Sequence, residues 1–406
     1  MHTNVEYWLW FTLAFGPANS DKWNVYTYYD RSIETCFDRL TSGDLSRVLP
    51  GDVSKVKSAT LEHVHKIIDL CESNGISICT YDSELYPQRL RDIFNPPSVL
   101  FYTGDISGID DNIVVAAVGT RKPTEYSVSM SKRLCTELVS RGARIASGFQ
   151  IGLDSLAHIC AIAAGGITYA VLPCGHLYDY PPENAKAKET VSKHGAVISE
   201  FFPNDKPTRH TFRARNRILA GISIASLVLQ AGAGSGAMST AYITVDQGKE
   251  IYCIPPHNLY DPEYYGATEL IRQGAHCIFD SSDIINTYAK NYPHIIPVNR
   301  ELIKPIENVD DADEKPAPKR KPSSKKKSDT VHVNHAPKHL VKTPIVPNEE
   351  LSGIKKQIVD YLKEHGETHL DELAVGIGDV FELEVYLTEL ELDGLISSLP
   401  GNRFTI

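Results

Sequence analysis

A regular alternation of short apolar segments and helical patterns constrains this chain more than any other feature. Seven apolar, β-rich segments are separated by helix-like stretches: Ile113–Val118, Arg144–Ala146, Tyr169–Leu172, Val197–Ser199, Ala225–Leu229, Ile251–Ile254 and Cys277–Phe279. Strands that are apolar on both faces and alternate with helices are typical of a parallel sheet with helices on both sides. The sequence therefore predicts the α/β class, with a Rossmann-like, doubly wound, mainly parallel sheet.

Four segments can be separated along the chain. Residues 1–80 have weak helical patterns and are interpreted as a small N-terminal helical domain, and residues 81–292 hold the Rossmann-like core, which begins with a proline-rich extended stretch up to Tyr102. Residues 293–350, with scattered prolines and the run Lys325–Lys327, have the composition of a flexible linker. Residues 351–406 read as three helices followed by a hairpin, which predicts a C-terminal winged helix.

Composition excludes several classes of protein. The 406 residues contain no apolar run near the roughly 20 residues that a membrane helix needs, so we expect no membrane partner. The eight cysteines are scattered and form no C-x-x-C pair, which indicates a reduced, cytoplasmic protein without a structural metal site.

The distribution of charge says more than its total. A net charge of −10 at first argues against a nucleic-acid partner. However, residues 351–406 hold four Lys or Arg against eleven Asp or Glu, a net of −7, so most of the acidic excess is C-terminal. In contrast, the nine residues 209–217 contain no Asp or Glu and four arginines: Arg209, Arg213, Arg215 and Arg217.

The turns that follow the predicted strands are rich in glycine and hydroxyl side chains. The first turn contains Gly119, Thr120 and Arg121, the second begins with Ser147 and Gly148, and a later one ends with Ser235 and Gly236. Ligands of open α/β sheets bind beyond the carboxyl ends of the strands, and such turns at helix N-termini favour anions. Any single glycine could simply permit a tight turn, but the combination indicates a phosphate-binding surface.

The segment from Arg209 to Arg217 carries the most specific functional signal. Its guanidinium groups can pair with phosphates, and Phe212 among them offers a stacking platform for a base. Asn216 adds a polar side chain in the same run. Four arginines near the start of a helix oppose the helix dipole, so a purely structural role fits poorly. This chemistry is typical of sequence-tolerant binding to single-stranded nucleic acid.

Catalytic and cofactor signatures are weak or missing. The sequence has no G-x-G-x-x-G after the first strand and no G-x-x-x-x-G-K-[ST], so we expect no cofactor. Asp154 and His158 are spaced as an acid–base pair on one helix, but a helix-starting Asp with a hydrogen-bonded His is the favoured interpretation. Glu200 has no nucleophile or metal cluster beside it. We expect no catalytic residues and no enzyme.

The motifs together resemble the DNA-processing protein A (DprA/Smf) family. The resemblance rests on segments in the family's order and spacing: Tyr86-Pro87, Pro96-Pro97, Val118–Arg121, Ser147-Gly148, Gly152–Asp154, Tyr180–Asn184, Arg215–Ile218, Ser235-Gly236, Thr240-Ala241, Leu270-Ile271 and Gly274-Ala275. It covers roughly residues 86–283 and extends into the C-terminal region. Departures from the family pattern include Ile151, Ser127 and Thr268.

The resemblance implies a cytoplasmic protein that binds single-stranded DNA, dimerises through its Rossmann-like core and loads the RecA recombinase during natural transformation and recombination. It carries the DNA pocket over onto Gly119, Arg121, Ser147, Gly148, Arg209, Phe212 and the run Arg215–Arg217. With Thr120, Arg213, Ser235 and Gly236 from the residue-level argument, these form the predicted DNA-binding set.

Two alternatives remain beside this interpretation. The core also resembles, distantly, nucleotide phosphoribohydrolases with a Rossmann-like fold, whose catalytic Glu has no counterpart between Gly232 and Ala241. The second alternative is a protein that acts only as an adaptor between other proteins. Because the helix predicted at Val380–Leu392 is acidic and has no basic residue, we expect the winged helix to face protein and not DNA, and it could even fold back onto the Arg209–Arg217 segment.

Overall fold

Five helices open the chain in the computed structural model, which describes residues 2–295, 351, 353–399 and 401–406. They are α1 Asn4–Phe15, α2 Asp21–Tyr28, α3 Ile33–Thr41, α4 Val53–Ser58 and α5 Leu61–Ser73. Helix α1 begins with a capping box, in which Thr3 and Glu6 satisfy each other's backbone N–H groups. Its aromatic side chains Trp8, Trp10 and Phe11 are buried, which makes α1 the centre of this helical region. The predicted linker, including Lys325–Lys327, lies outside the described residues from residue 296 to residue 350.

Nine strands form the central sheet. They are β1 Ser77–Thr80, β2 Val99–Gly104, β3 Val114–Gly119, β4 Arg144–Ser147, β5 Thr168–Val171, β6 Gly195–Ser199, β7 Ala225–Gln230, β8 Glu250–Cys253 and β9 His276–Cys277. Their order is β1-β2-β6-β5-β4-β3-β7-β8-β9, with parallel pairing from β6 to β9 and antiparallel pairing of β1 and β2. The chain runs from β3 towards β6 and then returns to β7 on the other side of β3. The order therefore reverses between β3 and β7, the position where open α/β sheets bind ligands.

Helices cover both faces of this sheet. They are α6 Gln88–Arg91, α7 Glu125–Ser140, α8 Leu153–Ala163, α9 Ala187–Lys193, α10 Arg209–Ile222, α11 Gly236–Asp246, α12 Tyr265–Arg272 and α13 Ser282–Tyr288. Alternate residues of β3 enter separate apolar clusters, Val114 and Ala116 on one face and Val115 and Ala117 on the other. The predicted α/β, doubly wound, mainly parallel core is confirmed, and the structure adds β1 and β2 as an antiparallel edge.

The N-terminal helices are tied to the core by both apolar and polar contacts. Val99 and Phe101 of β2 belong to the same buried cluster as the aromatic residues of α1. The backbone N–H of Ala18 donates to Glu200 Oε1 at 2.9 Å, and Glu200 follows β6. Because that carboxylate is fully buried, the contact fixes the first helices against the end of the sheet.

The C-terminal residues form a second, smaller α/β arrangement. Helices α14 Gly353–His365, α15 Leu370–Ile377 and α16 Val380–Leu392 accompany strands β10 Thr368–His369, β11 Ser397–Leu399 and β12 Arg403–Thr405. The strands form an antiparallel sheet in the order β10-β12-β11. The three helices and the hairpin predicted here are present, whereas their assignment to the winged-helix class stays a prediction.

Helix α16 joins this C-terminal region to the core. Phe381 and Val385, one helical turn apart, are buried in one cluster with Phe149 and Ile159 of the core. The other side of α16 faces the C-terminal region's own apolar centre through Leu383, Leu387 and Leu390. All described residues belong to one compact unit. The helix therefore has two buried faces, one for each neighbour.

Two ion pairs flank the contact between α16 and the core. Lys132 Nζ of α7 lies 2.8 Å from Glu391 Oε2, and Lys186 Nζ lies 3.4 Å from Asp379 Oδ2. The acidic helix thus faces protein, but its position corrects the idea that it could cover the Arg209–Arg217 segment. It lies instead against α8 and α9, because Phe381 and Val385 find apolar partners there and the neighbouring lysines match its charge.

Candidate functional site

A cavity of about 950 Å³ lies where the strand order reverses. Its walls come from the turn after β3, the turn after β4, helix α10, the turn between β7 and α11, and the loop after β8. Parallel strands bring their carboxyl ends to one edge, so segments far apart in sequence meet here. The site is therefore built by topology from the turns that the sequence singles out.

Helix α10 supplies the basic and aromatic wall. A capping box between Thr208 and Thr211 starts the helix immediately before Arg209, so Arg209 is the first helical residue. Arg209, Phe212 and Asn216 follow a three- and four-residue spacing and line the cavity together. The ring of Phe212 is half-buried and packs edge-on against Tyr180, with centroids 5.6 Å apart. This contact holds the ring at the cavity wall.

Arg215 lies at the bottom of the cavity, next to Asp154. Its Nη1 donates to the Val171 carbonyl at 2.8 Å, and both charged side chains are buried. Burial lowers the pKa of Arg215 to about 10, so the guanidinium remains charged at neutral pH. Burial raises the pKa of Asp154 to about 6, although Arg215 and the Gly119 N–H, 3.2 Å from Oδ1, oppose that rise. The floor of the cavity therefore carries a fixed positive charge beside a carboxyl group whose pKa lies above its ordinary value.

Gly148 explains how Arg215 reaches this position. A Cβ atom at Gly148 would lie 2.2 Å from Arg215 Nη1 and 2.6 Å from Asp154 Oδ2. Any side chain there would therefore displace both groups. The glycine acts on the site by leaving room for the buried arginine.

Two turns contribute groups suited to anions. Arg121 and Lys122 follow β3, are exposed, and line the cavity, and Arg121 Nη2 donates to Gln150 Oε1 at 2.7 Å. Helix α11 begins at the cavity without a side-chain cap from Ser235, whose buried Oγ has no hydrogen-bond partner among the described residues. An uncapped helix N-terminus presents backbone N–H groups and a positive dipole end. The cavity thus combines four cationic side chains with backbone donors.

The structure brings together most of the predicted residues. The lining includes Gly119, Thr120, Arg121, Arg209, Phe212, Arg215, Asn216, Ser235 and Gly236. Arg213 is exposed on α10 but does not belong to the lining. Ser147 is buried and its Oγ donates to the Ala117 carbonyl at 2.6 Å, so it supports the sheet instead of facing the cavity.

The prediction for Arg217 needs correction. Its Nη2 lies 2.6 Å from Glu200 Oε1, and both side chains are buried. This pair faces the N-terminal helices through Ala18, which shares the same carboxylate oxygen. The guanidinium therefore belongs to a structural ion pair.

His158 is a core residue, since its Nδ1 lies 2.7 Å from Thr168 Oγ1 and the ring is fully buried.

Polar lining residues from two segments were missed in the sequence. Gln150 follows β4, while Glu263 and Tyr265 come from the loop after β8. No glycine or arginine pattern marks that loop, and only the pairing of β8 next to β7 brings it to the cavity. Within the described part of the chain, no group of three or more His, Cys, Asp or Glu side chains is placed to hold a metal ion.

Comparison with known proteins identifies the family of this chain. The family described as DNA recombination-mediator protein A matches residues 77–289, which is more than half of the chain. The chain belongs to the DNA-processing protein A family. The match begins at β1 and ends after α13, so it covers the whole sheet and every segment that lines the cavity.

The match to two members of this family covers between about half and four fifths of the chain. The chain is 35% identical over 219 residues to the DNA processing protein DprA of Bacillus subtilis, covering 54% of this chain and 73% of that protein. It is 31% identical over 334 residues to Protein Smf of Synechocystis, covering 80% and 79% respectively. A role in DNA processing and recombination follows from this membership.

A solved structure confirms the fold. The X-ray structure of DNA processing protein A from Streptococcus pneumoniae matches with a TM-score of 0.61 and 24% identity, covering 70% of this chain and 98% of that one.

No helix among the residues that the structure describes is both long and apolar enough to cross a lipid bilayer.

Proposed function

We propose that this protein binds single-stranded DNA in the cavity between β3 and β7 without changing it chemically. The observation that carries the proposal is the presence of the Phe212 ring and four cations in a single cavity: Arg121, Lys122, Arg209 and Arg215. Arginine and lysine attract the phosphates of any sequence, and an aromatic ring stacks on any base. This combination favours binding that tolerates sequence.

The geometry favours an unpaired strand over a duplex. Phe212 is half-buried at the cavity wall, where its ring meets Tyr180 and the guanidinium of Arg215, 5.9 Å from the ring centroid. A base must leave its own stack to reach that ring. A single strand does this at little cost, whereas a duplex must first break a base pair.

The biological role that fits is protection of incoming or processed single strands and their transfer to the RecA recombinase, as in natural transformation. The family's description as recombination mediators supports a partner recombinase. A cytoplasmic location agrees with eight free cysteines, seven of them buried.

We also propose a homodimer through the Rossmann-like core. Strand β9 is the last strand of the sheet, and Phe279 beside it is 62% exposed. Tyr242 and Val245 of α11, a helix that packs on β7 and β8, also expose apolar surface. Exposed apolar side chains next to an open sheet edge are typical of a subunit contact.

Fluorescence anisotropy with labelled oligonucleotides at several salt concentrations tests the binding proposal. We expect tighter binding to single strands than to duplex. Arg121→Ala and Arg209→Ala should each weaken binding and reduce the salt slope by about 0.7. Phe212→Ala should weaken binding roughly 5- to 150-fold with an unchanged slope, because stacking releases no counterion. Arg213→Ala, on the same helix but outside the lining, is the matched control. Equal affinity for duplex and single strand would contradict the proposal.

A second assay addresses the enzymatic alternative. Incubation of the pure protein with nucleoside monophosphates should release no free base, because both lining carboxyl groups are engaged. Arg215 and Gly119 hold Asp154, and Gln230 Nε2 donates to Glu263 Oε2 at 3.1 Å. Release of free base that disappears in Glu263→Gln would establish a hydrolase and overturn the non-enzymatic proposal.

A further inference from the structure

The loop between β8 and α12, together with the first residue of α12, exposes an unusual amount of apolar surface beside the cavity. Leu259, Tyr260 and Tyr265 are 66%, 85% and 46% exposed within seven residues. Single exposed apolar side chains are common, but a group of them next to a binding site indicates a contact surface. Tyr265 lines the cavity itself, while Tyr260 lies outside the lining.

The loop is held in place by hydrogen bonds at both ends. Tyr126 Oη donates to the Pro255 carbonyl at 2.9 Å, which fixes its beginning. Tyr264 is buried, and its Oη lies 2.6 Å from Ser127 Oγ. The Ala267 N–H donates to the Ala231 carbonyl at 3.0 Å, which joins the start of α12 to the turn after β7. These contacts fix the backbone on either side of Tyr265, and Tyr265 Oη donates to the Tyr260 carbonyl at 3.3 Å.

Tyr265 and Phe212 approach the cavity from different sides. Helix α10, which carries Phe212, packs over β3, β4 and β5. Helix α12, which begins with Tyr265, packs over β7 and β8. Since β3 and β7 are neighbours, the two rings belong to opposite halves of the same cavity. At about 950 Å³ the cavity is at the upper end of ligand pockets, roughly 300–1,000 Å³, and exceeds the space for one stacked base.

The charge of the two halves differs as well. The half near α10 carries Arg209 and Arg215, whereas Glu263 lines the half near Tyr265. Glu263 Oε2 accepts a hydrogen bond from Gln230 Nε2 at 3.1 Å, which orients the carboxylate. A carboxylate repels phosphate but accepts hydrogen bonds from the N–H groups on base edges. Glu263 therefore adds a group that can hold a base edge, next to the backbone donors at the start of α11, which are suited to a phosphate.

We propose that Tyr265, with Glu263 beside it, forms a second base subsite that stacks another nucleobase of the strand held at Phe212. The inference rests on the proposed binding of single-stranded DNA. Two stacked bases in one cavity set a minimal length for tight binding, because a strand too short to reach both rings loses one of them.

Oligonucleotides that carry 2-aminopurine at successive positions test the subsite in the full chain, since stacking quenches the fluorescence of this base. We expect two quenched positions in the wild-type protein, one lost in Phe212→Ala and the other in Tyr265→Ala. Tyr265→Ala should weaken binding roughly 5- to 150-fold with an unchanged salt slope. Tyr265→Phe should retain both signals, because it keeps the ring.

Tyr260→Ala is the matched control, because it removes the same side chain from the same loop outside the cavity, and it should bind as the wild type does. If Phe212→Ala and Arg121→Ala weaken binding while Tyr265→Ala behaves like Tyr260→Ala, the second subsite is wrong and the DNA site stands. If Phe212→Ala and Arg121→Ala also leave binding unchanged, the proposed function itself is wrong. A reduced salt slope in Tyr265→Ala would also contradict a base subsite.

Discussion

The N-terminal end and the side of helix α8 differ in what they contact. At its N-terminal end, Asp154 and the preceding Gln150 line an open cavity with cationic walls. Along its side, Ile159 and Ile162 are covered by Phe381 and Val385 of the chain's own C-terminal region. The same helix thus borders an open charged cavity and a closed apolar contact.

The contrast shows what the acidic C-terminal helix is suited to do. Its charges meet Lys132 and Lys186 on the covered side, which are outside the cavity lining. The C-terminal region covers an apolar surface of the core that would otherwise be exposed. It does not line the cationic cavity, which stays open to a ligand.

The largest effect is expected from removing the buried charge of the cavity. Arg215→Ala should lower the free energy of unfolding by about 3–5 kcal/mol, because it leaves Asp154 buried without its cationic neighbour. Chemical denaturation measures this, with Arg213→Ala as the exposed control on the same helix, where a change below about 0.5 kcal/mol is expected. Equal stability of the two variants would show that Arg215 is not held as described.

A smaller effect should separate the covered side from the cavity. Phe381→Asp places a charge among Phe149 and Ile159 and should weaken docking of the C-terminal region by about 3 kcal/mol. Hydrogen exchange should then increase in α8 and α16, while affinity for single strands stays within about threefold of the wild type. Val375→Asp, at a residue that is 92% exposed in α15, is the control. A large loss of affinity in Phe381→Asp alone would mean that the docked region supports the DNA site.

The smallest effect is expected when the pH changes near neutrality, between about 6 and 8. Burial raises the pKa of Glu384 on α16 to about 7, and Lys132 opposes the rise in part. The docked state therefore binds a proton more tightly than the released state, whose glutamate has its ordinary pKa near 4.5. Docking should weaken as the pH rises through that window and level off above about 7. Hydrogen exchange of α16 at several pH values measures this, and Glu384→Gln should abolish the trend.

Most of the fold could be predicted because its signal is local. Seven strands of the sheet are apolar runs flanked by helical patterns, and each is recognisable without its neighbours. Strand β1 carries no such signal. Strand β2 is an apolar run within the extended stretch that follows Pro96 and Pro97, but nothing local shows that it pairs with β6, almost a hundred residues away. Antiparallel edges of this kind depend on contacts that no local pattern reports.

The parts of the site that backbone turns form could be predicted from the sequence. The parts that depend on the direction of side chains or on distant contacts could be predicted less well. Glycine-rich turns mark the strand ends, so Gly119, Ser235 and Gly236 could be found from composition. The prediction that Arg217 faces the cavity was wrong, because residues two positions apart on a helix point to different sides. Arg215 already faces the cavity. Tyr265 was missed because only the position of β8 next to β7 brings its loop to the site.

The most direct test of the account is a hydrogen-exchange footprint of the full chain with and without a single-stranded oligonucleotide. We expect protection of the turns after β3 and β7 and of the first turn of α10, and no change in α9 and α16. Protection confined to α9 and α16, with the cavity turns unaffected, would place the DNA on the other side of the core and contradict the central claim.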